Sequence, residues 1–327
     1  MDGAAETGMH RAPAPLVSVI LPTFGRPDYL RLALKSAAGQ SYRNLEIIVQ
    51  DNASPVDPRP VVESFGDPRI AYFRNPANIG ITGNVITACA RAHGRYVAIL
   101  GDDDLWRPDF IAALVPPLER DHALAVAFCD HDIIGADGTV DERATERVSR
   151  RWGRHLLRRG CYRPFGEIAL IRRSICIFSG ALLRRDDIDW RAIPLDMAYG
   201  LDMYVVYLAA RTGKGCYYVP QRLAQYRYHP GSAANSLHHA QRKIANARDS
   251  LRYWSALRRD DALRRHWHYF EMRREFNALV IVAALLSSGE SGRAWQQLRT
   301  FWREGLVRPA ILLQYPVYAL RLRRATA

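Results

Sequence analysis

Gly94-Arg-Tyr-Val-Ala-Ile-Leu-Gly-Asp-Asp-Asp-Leu-Trp-Arg-Pro108 runs from an apolar segment straight into three consecutive carboxylates. Tyr96 to Leu100 is short and unbroken, the pattern of a strand buried on both faces. Like charges packed at a strand end are costly unless a cation sits among them. The natural partner of Asp102, Asp103 and Asp104 is therefore a divalent metal, whose shell phosphate oxygens can complete. The alternative is a solvated acidic turn ahead of a helix starting near Pro108.

The same alternation extends outward. Upstream, Leu16 to Leu21, Leu45 to Val49 and Ile70 to Phe73 read as strands, each closed by a polar, turn-forming loop. Asp28 is placed to cap a helix with apolar positions Leu30, Ala33, Leu34 and Ala37, and a second helix is expected from about Gly83 to Ala92. Downstream, Ala123 to Cys129, Ile175 to Leu183 and Cys216 to Val219 read as strands, with a helix from about Met197 to Ala210. The Arg-rich stretch 141–173 reads as a loop. Strand, helix, strand with polar loops after each strand predicts an α/β fold with a mostly parallel sheet covered by helices. Ligands of such sheets bind at the carboxyl ends of the strands. Thr23, Arg26, Asp51, Asn78 and Asn84 are expected on the edge that carries the acidic triplet.

Five segments in order resemble the motif series of family 2 glycosyltransferases, the inverting enzymes of the GT-A fold. They are Pro22-Thr-Phe-Gly-Arg26, Asp51-Asn-Ala-Ser54, Asn78-Ile-Gly80 with Asn84, Gly94 to Pro108, and Val219 to Ser232. The resemblance covers about residues 16–232. It implies a Rossmann-like GT-A sheet, a nucleotide-diphosphate sugar donor, a divalent metal (Mn or Mg) bound through a DXD-type motif, and direct displacement at the anomeric carbon.

The resemblance also implies roles. Asp51 would bind the nucleoside, with Pro22, Thr23, Arg26, Asn78, Gly80 and Asn84 around the donor. Asp102, Asp103 and Asp104 would hold metal, ribose and diphosphate, while Arg227 and His229 approach the diphosphate or metal from the closing loop. Asp202, in Gly200-Leu-Asp-Met-Tyr204, stands where the family places its general base. Asp186, Asp187, Asp189 and Asp196 compete for that role. Two positions depart from the family pattern: Gly101 replaces a further Asp found in many members, and Leu201 replaces the Glu of the usual Glu-Asp pair.

Composition bounds the rest. The chain has 327 residues, 48% hydrophobic and 24% charged, which excludes wholesale disorder and low-complexity architectures. Five scattered cysteines without a CxxC pair argue against a disulfide framework and a thiolate zinc site, and favour a cytoplasmic setting. Residues 1–15 read as a disordered leader, and no apolar run is long enough to span a bilayer. Of the net charge of +13, residues 233–327 carry +10. That region predicts a helical C-terminal appendage with three stripes: Ile244, Ala247, Leu251 and Trp254; Leu263, Trp267 and Phe270; Trp295, Leu298 and Trp302.

These readings predict metal-dependent sugar transfer to a glycan, lipid-linked or small-molecule acceptor in bacterial glycan, polysaccharide or glycosylated-metabolite synthesis. No nucleic-acid partner is expected. Peripheral contact with the inner face of the membrane and oligomerisation both stay open. The alternatives are a nucleotidyltransferase, whose phosphate loop Pro22 to Arg26 does not supply, and a non-catalytic basic adaptor on the same fold.

Overall fold

The protein is described by a computed structural model covering residues 13–197, 200–229 and 239–307. Residues 1–12 of the leader expected over 1–15 and the boundary at Ser232 lie outside the described residues, while the carbonyls of Ala14 and Pro15 accept hydrogen bonds from Asn44 and Tyr42.

All seven residues of β1 (Val17–Thr23) are buried, as a strand in the middle of a sheet requires. It pairs in parallel with β2 (Leu45–Asp51) on one side and β4 (Tyr96–Ile99) on the other, and β3 (Ile70–Arg74) extends the sheet beyond β2. Past β4 lie an antiparallel β8 (Ala181–Arg184), then β6 (Leu124–Ile134) parallel to β9 (Gly215–Arg227), and the short antiparallel β5 (Leu105–Trp106). The strand order is β3-β2-β1-β4-β8-β6-β9-β5, and β7 (Gly160–Tyr162) pairs with β9 off this path.

Alternate residues of β1 feed two cores. Val17, Val19 and Leu21 pack with Leu30 and Leu34 of α1 (Pro27–Ala38) and with Phe110 and Leu114 of α4 (Phe110–Arg120). On the opposite face, Ile20 joins Val85 of α3 (Gly80–Cys89) and Val205 of α7 (Leu201–Arg211) in one cluster. Trp254 of α8 (His239–Arg258) and Phe270 of α9 (Trp267–Ser287) belong to that same cluster, so the C-terminal helices share the sheet's own core. A separate cluster joins α9 to α10 (Ser291–Arg303) through Leu285, Ala294 and Phe301. Among the described residues no helix is long and apolar enough to cross a membrane.

Four local expectations are corrected. Asp28 lies in the first turn of α1 instead of capping it, because Pro27 takes the opening position that needs no amide donor. Residues 141–173 are folded: they hold α5 (Glu142–Arg151), β7 and two short turns. Thr145, Ser149 and the 2% exposed Arg154 are buried in the segment's first half, where no apolar stripe marks them in the sequence, while Phe165, Ile168 and Leu170 anchor its second half in the main core. Ile175 to Leu183 is a strand only from Ala181. Before it, a turn at Ile177–Gly180 sets Ser179 at φ 66° and breaks the extended run. The stripe Trp295, Leu298, Trp302 is not the packed face of α10: Ala294 and Phe301 are buried, and both tryptophans face outward.

Candidate functional site

Parallel register aligns the strand ends into a row. Thr23 pairs with Asp51, Asp51 with Arg74, and β4 runs beside β1 into Asp102. Thr23 Oγ1 donates to Asp102 Oδ2 at 2.8 Å, and the Phe24 amide donates to the same oxygen at 3.2 Å. Arg26 Nη2 lies 2.8 Å from Asp102 Oδ1, while its Nη1 pairs with Asp103 Oδ2. The cation demanded by the crowded carboxylates is thus present in the chain itself. Burial pushes the Asp102 carboxyl up to about 6, against the opposing pull of Arg26.

Asp104 faces the other way. Its Oδ2 accepts from Ser179 Oγ at 2.6 Å and its Oδ1 from the Arg227 amide at 2.9 Å. Burial first, and then the neighbouring Asp103 charge, push this carboxyl up to about 8. A Cβ at Gly101 would stand 3.0 Å from Asp104 Oδ2 and 3.2 Å from Asp103 Oδ1, a tight fit that these carboxylates would have to give way to by a few tenths of an ångström.

Asp103 is the most exposed of the three, and His229 Nε2 lies 3.0 Å from its Oδ2. Tyr29 packs on the His229 ring at 4.7 Å between centroids and also lies beneath the Arg227 guanidinium. Arg227 is 2% exposed and donates through Nε to the Asp103 carbonyl and through Nη1 to the carbonyls of Gly135 and Ala136. It therefore clamps the triplet to the turn after β6.

The nucleoside-side residues are equally committed. Asp51, fully buried, accepts from Arg74 Nη1 at 2.5 Å, from Tyr72 Oη at 3.1 Å and from the Ser54 amide at 3.0 Å. Asn84, 2% exposed, donates to the Gln50 carbonyl and accepts from Asn75 Nδ2. Asn75 also donates to Asn52 Oδ1, and Asn52 donates to Asn78 Oδ1, which takes the Gly80 amide as well. Gly80 has φ 77°, and Pro22 lies within β1 opposite Gln50. This network holds the loop after β3 against the end of β2. Gln50 and Asn75 lie outside the five motif segments, and Asn52 lies inside one without an assigned role. Phe24, also inside a motif segment without an assigned role, is 41% exposed at the strand-end edge.

Asp202 occupies the first turn of α7, where its Oδ1 accepts from the Met203 amide at 2.8 Å, and burial pushes its carboxyl up. The Arg173 guanidinium opposes that shift, and burial first, then the charges of Asp202 and Asp104, push the Cys176 thiol up. The competing acids are engaged elsewhere: Asp187 with Lys214, Asp186 with Arg185, Asp189 with the Arg191 amide and Asp196 with Arg252. Ser179 was not foreseen, since its segment reads as strand.

Among the described residues no group of three or more His, Cys, Asp and Glu is arranged to hold a metal ion. Asp103 and His229 together present one carboxylate oxygen and one imidazole nitrogen. These are oxygen and nitrogen donors of the kind Mn²⁺ and Mg²⁺ take, but here they bond to each other and Asp103 Oδ2 also to Arg26, so an ion held by them would have to displace those contacts. Asp102 and Asp104 are turned onto protein donors. A concavity of about 670 Å³ lies at the bulge between β6 and β9, lined among others by Glu142, Glu146, Arg154 and Arg222.

A mostly parallel central sheet with carboxylates, an arginine and a histidine gathered at its strand ends defines an α/β protein whose polar site lies at the carboxyl edge of the strands. The family model for glycosyl transferase family 2 matches residues 18–186, just over half of the chain, and the chain belongs to that family. A GalNAc(5)-diNAcBac-PP-undecaprenol beta-1,3-glucosyltransferase of Campylobacter jejuni is 36% identical over 118 residues, covering 35% of this chain and 38% of that protein. TuaG of Bacillus subtilis, a putative teichuronic acid biosynthesis glycosyltransferase by name, is 32% identical over 127 residues, 38% of this chain and 50% of its own length. The matched region thus spans half or less of these curated relatives. In fold, the chain is similar to the mannosyltransferase PcManGT of Pyrobaculum calidifontis, solved with GDP-Man and Mn²⁺: the TM-score is 0.56 at 19% identity, over 93% of this chain and 84% of that one. S. aureus TarS 1-349 with UDP-GlcNAc gives a TM-score of 0.53 at 13% identity, over 88% and 92% of the two chains. The sheet is of the GT-A type.

Proposed function

We propose that this chain is a metal-assisted, inverting glycosyltransferase that moves a sugar from a nucleotide-diphosphate sugar to an acceptor hydroxyl. The observation that carries this reading is the meeting of Asp103 and His229, 126 residues apart, beside Arg26 at the carboxyl edge of the parallel strands. Asp103 and His229 would hold a divalent ion there, which would supply positive charge to the leaving diphosphate.

The other steps belong to side chains. Arg26 shares the diphosphate's charge while holding Asp102 and Asp103 in register. Asp51 acts through Arg74, Tyr72 and Ser54, ordering the loop on which the nucleoside rests, and the exposed Phe24 ring offers a face to the base. Asn84, Asn75 and Asn52 fix the loop at Asn78 and Gly80. Asp202 takes the acceptor hydroxyl proton on a carboxylate oxygen. Its raised affinity for a proton, caused by burial, suits a base.

The relatives named for undecaprenol-diphosphate and teichuronic acid chemistry support a polysaccharide or lipid-linked glycan as acceptor. We assign acceptor recognition to the folded 141–173 segment and the concavity it lines.

The test is turnover with UDP-, GDP-, TDP- and CDP-sugars in Mn²⁺ and an acceptor pool. The expected result is release of one nucleoside diphosphate and a product of inverted anomeric configuration. Release of pyrophosphate, or retention of configuration, would overturn the reading.

A further inference from the structure

Four tryptophans mark the C-terminal stripes, and their environments divide them. Trp254 is fully buried among Tyr253, Tyr269 and Phe270, and Trp267 donates its indole N–H to the Asp260 carbonyl. Trp295 and Trp302 are instead 61% and 52% exposed on α10. They stand seven residues apart, two helical turns, and so lie on one line about 10 Å long.

Arg299 falls between them on that line, and Arg303 lies beside Trp302; both are exposed. Among the described residues neither has a carboxylate within ion-pair distance, whereas Arg293 at the other end is paired with Glu290. From Ser287 to the end of the sequence there are seven arginines against Glu290 and Glu304. The opposite face of α10 is already used: Ala294 and Phe301 pack on α9.

We propose that the Trp295–Arg299–Trp302–Arg303 stripe is a docking surface for an anionic lipid bilayer, with α10 lying in the plane of the interface. Indole rings are amphipathic and settle at headgroup depth, while arginine extends its guanidinium to lipid phosphates. Alternating these two residue types along an outward helix face matches a flat anionic interface. A second copy of the same face fits poorly, since it would set Arg299 and Arg303 against their own counterparts. The stripe is separate from the strand-end site, so the proposal does not depend on donor chemistry.

The test is flotation of the full chain with phosphatidylcholine vesicles, with and without phosphatidylglycerol, comparing wild type with Trp295→Ser/Trp302→Ser and with Arg299→Glu/Arg303→Glu. The expected result is binding only to the anionic vesicles, reversed by salt and reduced by about tenfold or more in each double variant. Both pairs are exposed, so unchanged circular dichroism and thermal midpoint would certify the fold. Three results would overturn the proposal. They are no binding of wild type to anionic vesicles, binding of both variants at the wild-type level, or a wild-type dimer on a sizing column that the tryptophan variant dissolves.

Discussion

His229 Nε2 lies 3.0 Å from Asp103 Oδ2, joining the loop after the last long strand to the acidic turn after β4. The contact gathers a nitrogen and an oxygen donor at the one member of the acidic triplet that Thr23 and Ser179 leave alone. Asp102 is drawn toward β1 and Asp104 toward the turn at Ser179, so the three adjacent carboxylates serve three different purposes.

Asp202 is the proposed base. Replacing it with Asn removes the proton acceptor while keeping the shape of the side chain and its bond from the Met203 amide. Turnover should fall by about a hundred- to ten-thousand-fold with nucleotide affinity unchanged. Steady-state kinetics beside calorimetric binding separate the two, and equal loss of both would remove Asp202 from the chemical step.

Ser179 offers a test of how Asp104 is held. Its hydroxyl donates to Asp104 while its backbone sits at φ 66°, a region costly for any residue with a Cβ. Ser179→Ala loses the hydroxyl and keeps the strain; Ser179→Gly loses the hydroxyl and relieves it. Chemical denaturation should find the Gly variant more stable than the Ala variant by about 1 kcal/mol. The reverse order would contradict the left-handed turn.

Much of this was readable in advance, and the residues explain why. β1 to β4 are apolar runs closed by turn residues, and each falls within a residue or two of its expected place. The edge location of Thr23, Arg26, Asp51 and the triplet followed from strand polarity alone. What stayed hidden depends on long-range polar pairing: Ser179 on Asp104, Asn75 on Asn84, and Arg154 on Asp130. None of these produces a periodic apolar pattern. The spacing also could not tell a contact with substrate from a scaffold. Asp51, Asn84 and Arg227 lie at the expected edge, yet the protein's own groups surround them.

The buried pair of Arg154 and Asp130, at 2.6 Å, ties the Arg-rich segment to β6, beside the apolar anchors Phe165 and Leu170. Arg154→Met alone leaves a buried carboxylate uncompensated and should lower stability by about 3–5 kcal/mol. The double change Arg154→Met/Asp130→Leu removes both charges and should recover most of that loss. Thermal or urea unfolding of the two variants decides the matter, and equal destabilisation would show that the pair is not what holds the segment.

Arg74 is predicted to matter for the nucleoside loop through Asp51. Arg74→Ala leaves Tyr72 and Ser54 on the buried carboxylate but takes away its cation. The expected cost is about 2 kcal/mol of stability, with weaker nucleotide binding as the loop loosens. A thermal shift with and without nucleotide measures both, and an unaltered midpoint would mean that Asp51 is held by its neutral partners alone.

The central claim is that Asp103 and His229 hold a divalent ion against a nucleoside diphosphate. Isothermal titration of UDP, GDP, TDP and CDP into wild type, Asp103→Asn and His229→Ala, each with Mn²⁺ and with chelator, tests it most directly. The account predicts that one nucleotide binds wild type more tightly with Mn²⁺ and that both variants, still folded, lose the Mn²⁺-dependent part. Nucleotide binding that ignores Mn²⁺ in wild type, or variants that keep the full Mn²⁺ effect, would contradict it.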